Sequence, residues 1–510
     1  MGNELEVELT NSHNSCFKDA EKLADLESCN ADDKDNLHRT LKGRHLSMIS
    51  IGGTIGTGLF LASGASIATG GPGGALVGYA IVGIMVFFLM TSLGEMATYM
   101  PISGSFNAYG ARFVDPAFGF ALSWNYWYSW ALTVAVELSA GGLIMEYWLP
   151  HVPNWIWSAC LLVIIVGINS ISVKGYGETE YWFALIKVVT VVIFIILGIF
   201  VATGVLGGVK YGFRNFTLGE APFVDGGYGV LGVFLVAGFS FMGTELVGVA
   251  AGESENPEKN VPKAIKQVFW RILLFYIGAI IIISFLIPYN DPNLVNSGSV
   301  QDVSISPFTL VLKLSGLKPA ADIMNAIILI TVLSAGNSAL YACTRTLWMM
   351  AHSGMAPKIF GRVNSRGVPM PALILTAVVG CLAFLTSLFG NGVVYMWLLR
   401  ASSTSGFIAW IGIAVSHFRF RQAFIAQGHS LDELPYRARL YPLGPLIALV
   451  LCTIVLGGQG YEAYSNGSFD WGVCIGGYLA IIIFLVLYLG YKIVNKTKVH
   501  KLTECDLSRF

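Results

Sequence analysis

Charge is scarce in this chain. Only 12% of its 510 residues are Asp, Glu, Lys or Arg, roughly half the ~25% usual in soluble domains. A water-facing surface cannot be built from so little, which excludes an ordinary soluble enzyme or binding module. Acid and base balance at 31 residues each, so no overall field points to nucleic acid or to an acidic partner. Cysteine is also sparse. Cys16, Cys29, Cys160, Cys343, Cys381, Cys452, Cys474 and Cys505 form no CxxC or zinc-type spacing, and five of them lie in apolar runs, where Cys acts as a small hydrophobe. No HExxH, paired histidines or nucleophile motif interrupts those runs, as a membrane enzyme would require, and no repeated filter segment or ring of charges marks a channel. The first forty residues contain no apolar stretch of the ~7–15 residues that a cleaved secretory signal needs. They are rich in Glu, Asp, Asn, Ser and Lys, and are expected to form a disordered acidic cytosolic tail, 1–40.

What the chain has in excess is apolar length. Hydrophobic residues make up 55%, glycines number 58, and the mean hydropathy is +0.65. A spanning helix needs ~20 mostly apolar residues. Twelve runs meet this: 47–69, 75–98, 118–149, 155–173, 179–205, 228–252, 268–288, 320–346, 371–389, 393–417, 443–459 and 471–494. The predicted class is therefore an all-α polytopic membrane protein with twelve transmembrane helices. Lys and Arg collect on the cytoplasmic side of such proteins. With the N-terminus inside, that side receives Lys259, Lys263, Lys266, Arg271, Arg345, Lys358, Arg362, Arg366, Arg419, Arg421, Arg437 and Arg439, among others. The opposite loops receive only Lys210, Arg214, Lys313 and Lys318. Both termini are thus expected in the cytosol.

Two spans carry unusual interruptions. The first reads Ile51-Gly52-Gly53-Thr54-Ile55-Gly56-Thr57-Gly58-Leu59-Phe60. Each Gly costs a helix about 1 kcal/mol relative to Ala, and freed peptide groups persist in a bilayer only against protein or a water-filled cavity. Small-residue packing would explain Gly52 and Gly56, while the surplus at Gly53 and Gly58 suggests a ligand surface. The sixth span carries a similar run, Gly238-Phe239-Ser240-Phe241-Met242-Gly243-Thr244-Glu245-Leu246-Val247-Gly248. Interruptions at matching positions of two halves point to the binding site of a secondary transporter. A repeat of five spans inverts its own topology, which predicts helices 1–5 (41–205) and helices 6–10 (225–420) as two inverted halves. Helices 11–12 (443–494) and a cytosolic tail (495–510) follow. A half-helix N-terminus suits a carboxylate and loose carbonyls suit an ammonium, so a zwitterion fits between two breaks. Gly53-x-x-Gly56-x-Gly58 has neither GxGxxG order nor a P-loop lysine.

Ionisable groups within spans are functional hypotheses by default. Lys187 is a candidate proton carrier, fixed internal cation or member of a structural ion pair. Glu245 stands at the second break, either to meet a cationic substrate or to cap the broken helix. Glu137 is a specificity or gating candidate, with a structural pair as the alternative. Glu95, near the cytoplasmic end of its span, reads as structural. Arg400 reads as a snorkelling residue or as one that shapes specificity.

The segments Leu41-Lys42-Gly43-Arg44-His45-Leu46-Ser47, Pro72-Gly73-Gly74-Ala75, Ser92-Leu93-Gly94-Glu95-Met96 and Asn125-Tyr126-Trp127-Tyr128 resemble amino acid permeases of the amino acid–polyamine–organocation superfamily. So do Ala251-Gly252-Glu253-Ser254-Glu255-Asn256-Pro257 and Ser334-Ala335-Gly336-Asn337-Ser338. The similarity spans about residues 41–495, and extends to the lysine permeases of bacteria. It implies a LeuT-type 5+5 inverted repeat with helices 1 and 6 broken, and proton-coupled uptake of lysine or a related basic amino acid. It implies that the backbone at Thr54, Gly56, Thr57 and Gly58 takes the substrate carboxylate, and that carbonyls around Phe239 and Ser240 take its amino group. Lys187 resembles the span-five lysine that stands where sodium-coupled relatives bind a cation, so the coupling ion is expected to be a proton. Glu245 and Glu253 match acidic positions tied to substrate recognition and transport. Arg400 departs from the small neutral residue of the pattern, and a cation facing the pocket would repel a lysine side chain. No metal or other cofactor is implied; the expected partners are an amino acid, a proton and the bilayer, with the oligomeric state open. A permease for neutral amino acids and a sensor that binds without transporting are the alternatives.

Overall fold

A computed structural model describes residues 47, 48, 55–102, 104–171, 173–251, 254, 256–292, 294, 306–317, 319–462 and 471–508. The acidic leader, Thr54 and Glu253 lie outside the described residues.

Among the described residues the regular structure is helical. The elements are α1 (Thr57–Phe60), α2 (Ala62–Tyr99), α3 (Ser105–Phe113), α4 (Pro116–Glu146), α5 (Asn154–Ile171), α6 (Val173–Ala202), α7 (Gly226–Phe241) and α8 (Leu246–Ala251). They continue with α9 (Pro257–Arg271), α10 (Gly278–Leu286), α11 (Pro307–Leu314), α12 (Ala320–His352), α13 (Met370–Gly380), α14 (Thr386–Phe389), α15 (Asn391–Ala426), α16 (Leu443–Glu462) and α17 (Trp471–Asn495). A π-helical segment, Ile272–Ile277, joins α9 to α10. Eleven helical spans among the described residues are long and apolar enough to cross a bilayer.

The expected boundary between the first two spans falls inside α2. Gly71 has φ +71° and ψ 175° there, a backbone state that glycine adopts without strain, and Pro72 follows with no N–H to continue the ladder. The turn is held from outside, since the Gly73 and Gly74 amides donate to the Pro222 carbonyl at 2.8 and 3.2 Å. Two short helices occupy expected loops. In α3, Phe106, Tyr109 and Phe113 are fully buried, at the i, i+3, i+7 spacing of one helix face. In α11, Phe308, Val311 and Leu312 serve the same purpose.

Burial ranks the helices. The apolar window of α4 is 89% buried, against 11% for that of α17. Thus α4 is the central post, packed against α12, α15, α5 and α3, while α17 exposes Ile482, Val486, Leu489 and Ile493. Apolar side chains on such a face suit lipid. α2 lies along α7, which sets the first-span break beside the sixth-span break.

Three cations counted above as loop residues are inside the protein: Arg271, Arg345 and Arg421 are 1%, 6% and 2% exposed. Arg421 makes a two-pronged pair with Glu95, its Nε to Oε1 and its Nη2 to Oε2 at 2.6 Å. The Ala438 amide donates to Glu95 Oε2 at 2.6 Å, and His417 Nε2 stands 3.3 Å from Oε1. Glu95 therefore ties α2 to α15 and to the segment after α15, the structural role expected of it.

The end of the chain is docked. The His500 amide donates to the Val114 carbonyl at 2.9 Å. Gln427 Nε2 donates to the Leu502 and Cys505 carbonyls at 3.0 and 2.8 Å, and Tyr99 Oη to the Leu507 carbonyl at 3.3 Å. Cys505 and Leu507 are buried.

Candidate functional site between the two breaks

In the glycine-rich run of the first span, whose residues 51–54 lie outside the described ones, Gly56 is extended (φ −136°, ψ −156°) and α1 starts at Thr57. The opening N–H groups of a helix have no carbonyl one turn back to bond. In the run of the sixth span, α7 stops at Phe241 because Met242 leaves helical space (ψ 148°) and Gly243 adopts φ +87°, where a side chain would be strained. The helix resumes at Leu246. Glu245 folds back over this gap. The Gly243 amide donates to both its oxygens at 3.2 Å, Trp410 Nε1 to Oε2 at 3.3 Å, and Tyr126 Oη reaches Oε1 at 3.5 Å. Arg271 Nη2 donates to Thr244 Oγ1 at 2.8 Å, and Thr244 Oγ1 donates to the Phe241 carbonyl. Both oxygens of Glu245 are thus held by donors around the gap.

The breaks touch at Gly58. A Cβ on Gly58 would lie 2.5 Å from Ser240 Cα and 2.9 Å from Ser240 N and Oγ. The surplus glycine at 58, read above as ligand surface, is here a close-packing residue as well. Ser240 is likewise bound up in protein contacts. Its carbonyl accepts from Tyr276 Oη at 2.8 Å, and its hydroxyl lies 3.0 Å from Tyr79 Oη.

Beside this contact lies an internal cavity lined by Gly56, Gly58, Trp130, Thr133, Glu137, Phe239, Met242 and Ala335. Its volume is about 30 Å³, room for roughly two waters. Both breaks contribute to its wall, together with α4 and α12. Thr57 Oγ1 donates to Glu137 Oε1 at 2.9 Å, while Glu137 Oε2 is buried with no hydrogen-bond partner among the described residues. A carboxylate oxygen in that state carries a desolvation cost that an arriving cation would offset.

Lys187 is fully buried on α6, with Nζ 3.8 Å from Oε1 of Glu180, which is also fully buried. Ser334 of α12 donates to both oxygens of Glu180 at 2.9 Å. Of the expected site residues, Gly56, Gly58, Phe239 and Glu137 line the cavity and Thr57 bonds to Glu137. Glu245, Ser240 and Lys187 are not among the residues that line it. Arg400 is half-buried on α15 and does not line the cavity. Sequence reasoning missed Trp130, Thr133, Met242, Ala335 and Glu180. The Ser334-Ala335-Gly336-Asn337-Ser338 motif was a signal for Ala335, and the seven-residue spacing of Glu180 and Lys187 would have placed both on one helix face.

A helical bundle with this many bilayer-length helices among the described residues is that of a multi-pass membrane protein, and its cavity lies beside the start of α1 and the end of α7. Residues 45–504 match the family described as Amino acid permease, and the chain belongs to that family. It is 55% identical over 469 residues to the Lysine-specific permease LysP of Escherichia coli (strain K12), covering 92% of this chain and 96% of LysP. It is 52% identical over 488 residues to LysP of Lactococcus lactis subsp. cremoris (strain MG1363), covering 94% and 95%. It is also 50% identical over 479 residues to the Histidine permease HisP of the same Lactococcus strain, covering 94% and 99%.

Proposed function

We propose that this protein is a proton-coupled symporter that imports L-lysine or a related basic amino acid across the cytoplasmic membrane by alternating access, with both termini in the cytosol. The single observation that carries the basic-substrate reading is that Glu137, which lines the cavity beside α1 and α7, has a buried Oε2 with no hydrogen-bond partner among the described residues. The substrate's carboxylate would meet the N–H groups of Gly56, Thr57 and Gly58, with Thr54 as their neighbour. Its amino group would meet carbonyls around Phe239 and Ser240, and its side-chain cation would meet Glu137. The place of Arg400 outside the cavity wall supports a cationic substrate. Names of the relatives favour lysine, and the similar identity to a histidine permease makes histidine the competitor to test. The cavity is too small for an amino acid as it stands, so Trp130, Phe239 and Met242 would move when one enters. Such movement is what an inverted 5+5 repeat provides when one half rocks against the other. Lys187 would link proton entry to that movement.

Radiolabelled lysine uptake into proteoliposomes under an imposed pH gradient tests this. Uptake should be driven by the gradient and suppressed by excess arginine more than by neutral amino acids. Indifference to the gradient would end the proton claim, and competition by neutral amino acids alone would end the basic-substrate claim. Losing one partner of a buried ion pair costs about 3–5 kcal/mol, and 1.4 kcal/mol is tenfold in affinity. Glu137→Gln should therefore weaken lysine binding by about 10²- to 4 × 10³-fold. Lys187→Ala should abolish concentrative uptake and retain binding.

A further inference from the structure

Met242 is the first residue past the end of α7, and it lines the cavity. Its backbone is held there, since its amide donates to the Gly238 and Phe239 carbonyls at 3.0 and 3.2 Å. Its side chain lies against Gly406, in the interior of α15. A Cβ on Gly406 would stand 2.7 Å from Met242 Sδ, 2.9 Å from Cε and 3.0 Å from Cγ, where unstrained contacts are ~3.5–4.0 Å. Glycine inside a helix is destabilising relative to alanine, and its use here is to let the thioether rest on bare backbone. The helices around this contact are tied together. Ser403 Oγ donates to the Leu235 carbonyl of α7 at 3.0 Å, and Asn125 Nδ2 of α4 donates to the Ser405 carbonyl at 2.8 Å. In the other direction, a Cβ on Gly238 would meet the Phe407 ring at 2.4 Å. With α15 fixed to both neighbours and the Met242 backbone fixed to α7, a group added at 406 displaces the Met242 side chain. Its three rotatable bonds let it adapt, whereas the helices are held.

We propose that Gly406 is a positioning residue that sets the length of substrate side chain the cavity accepts: its missing side chain seats the Met242 thioether on α15 and so leaves the cavity to the substrate. A methyl group at 406 would take the place that the thioether now fills, and the cavity is the open space that Met242 borders. The displaced side chain then enters the room that a long substrate side chain needs, while a short one still fits. Charge plays no part in this selection. Lysine and its uncharged analogue norleucine should suffer alike, and short homologues of either should not. The inference rests on the cavity being the amino acid site, as proposed above, and is independent of the charge of the substrate.

The test is binding of lysine and norleucine, and of their shorter homologues 2,4-diaminobutyrate and 2-aminobutyrate, to the purified full-length protein in nanodiscs. Misfit of one methylene in an apolar pocket is worth about 10–200-fold, so Gly406→Ala should weaken lysine binding by about tenfold or more and leave 2,4-diaminobutyrate nearly unchanged. Adding Met242→Ala should restore lysine binding, because the displaced side chain is gone. Gly412→Ala is the control. It lies on the same helix, its Cβ would meet Leu122 Cδ2 at 2.5 Å, and Leu122 does not line the cavity, so the preference between long and short ligands should stay as in wild type. A purely structural role for Gly406 would weaken long and short ligands together and would not be rescued by Met242→Ala. Either result overturns the inference, as does a Gly406→Ala protein with the wild-type preference. If Gly406→Ala does not elute as a monodisperse species, Met242→Ala decides alone. A gain in affinity for homolysine relative to lysine then supports the inference, and an unchanged ratio overturns it. A wild type that binds lysine no better than norleucine defeats the basic-substrate reading, and the ratio of norleucine to 2-aminobutyrate then decides on Gly406. A lysine-selective wild type whose length preference is the same in Gly406→Ala defeats only the role of Gly406.

Discussion

Replacing Gly58 by Ala tests whether the two helix breaks depend on close backbone contact. The added methyl would sit 2.5 Å from Ser240 Cα and 2.9 Å from Ser240 N, where carbon atoms at ease stand ~3.5–4.0 Å apart. The backbones must separate by about 1 Å to restore that distance, because Ser240 Cα and N cannot rotate aside. Overpacking of this kind costs about 1–3 kcal/mol. The same displacement widens the floor of the cavity between Gly58 and Phe239. The expected result is a thermal midpoint lowered by a few degrees in detergent, with substrate affinity reduced by tenfold or more. Two controls sharpen the reading. Gly227→Ala meets nothing within 4 Å and should leave both quantities unchanged. Ser240→Gly should not rescue Gly58→Ala, since the clash is with backbone that Gly shares. A Gly58→Ala protein with wild-type melting and affinity would show that the breaks are not in contact as described, and rescue by Ser240→Gly would show that the hydroxyl sets the spacing.

Three further outcomes follow from the buried pairs and the docked tail. Arg421→Ala leaves Glu95 without its principal cation and should cost about 3–5 kcal/mol, seen as lost monodisperse protein by size-exclusion chromatography. Truncation after residue 499 removes the bonds from Gln427, Tyr99 and the Val114 carbonyl to the tail. At about 0.5–1.5 kcal/mol net for each hydrogen bond, less the entropy of ordering the tail, it should lower the melting temperature by a few degrees. Hydrogen bonds from the Ser508 side chain and amide, and then the nearby Arg112 guanidinium, hold the Asp506 carboxyl below its ordinary value of 3.8. A depressed carboxyl contributes stability above its unfolded value and loses it as pH falls through the folded one. Protease access to the C-terminus should therefore be unchanged from pH 7 to pH 5 and should rise only below about pH 4.

Much of the fold was legible because a bilayer leaves few choices. The apolar runs mark the helices, and the glycine-rich runs around Gly56 and Gly243 mark where helix gives way. Facing was far less legible. In a soluble helix the polar side announces itself, whereas α4 and α6 meet lipid or other helices on every side and are apolar almost all round. Their few polar residues do not reveal what they face.

The consequences differ residue by residue. Glu137 and Glu245 look alike in sequence, each a lone acid in an apolar span. Packing turned Glu245 onto the Gly243 amide and Trp410, and left one oxygen of Glu137, a residue of the cavity wall, without a hydrogen-bond partner among the described residues. Glu180, at the edge of its span, drew no reading from the sequence; packing of α12 set Ser334 against it. Arg271 read as a loop cation until its guanidinium proved to reach Thr244. The amino-acid sequence by itself determined the helical character of the spans and the family, because peptide hydrogen bonding and hydrophobic length are local properties. Only the tertiary structure decided which acid faces the cavity, which cation pairs with which acid, and why residue 58 has no side chain, because those depend on distances between helices far apart in the chain.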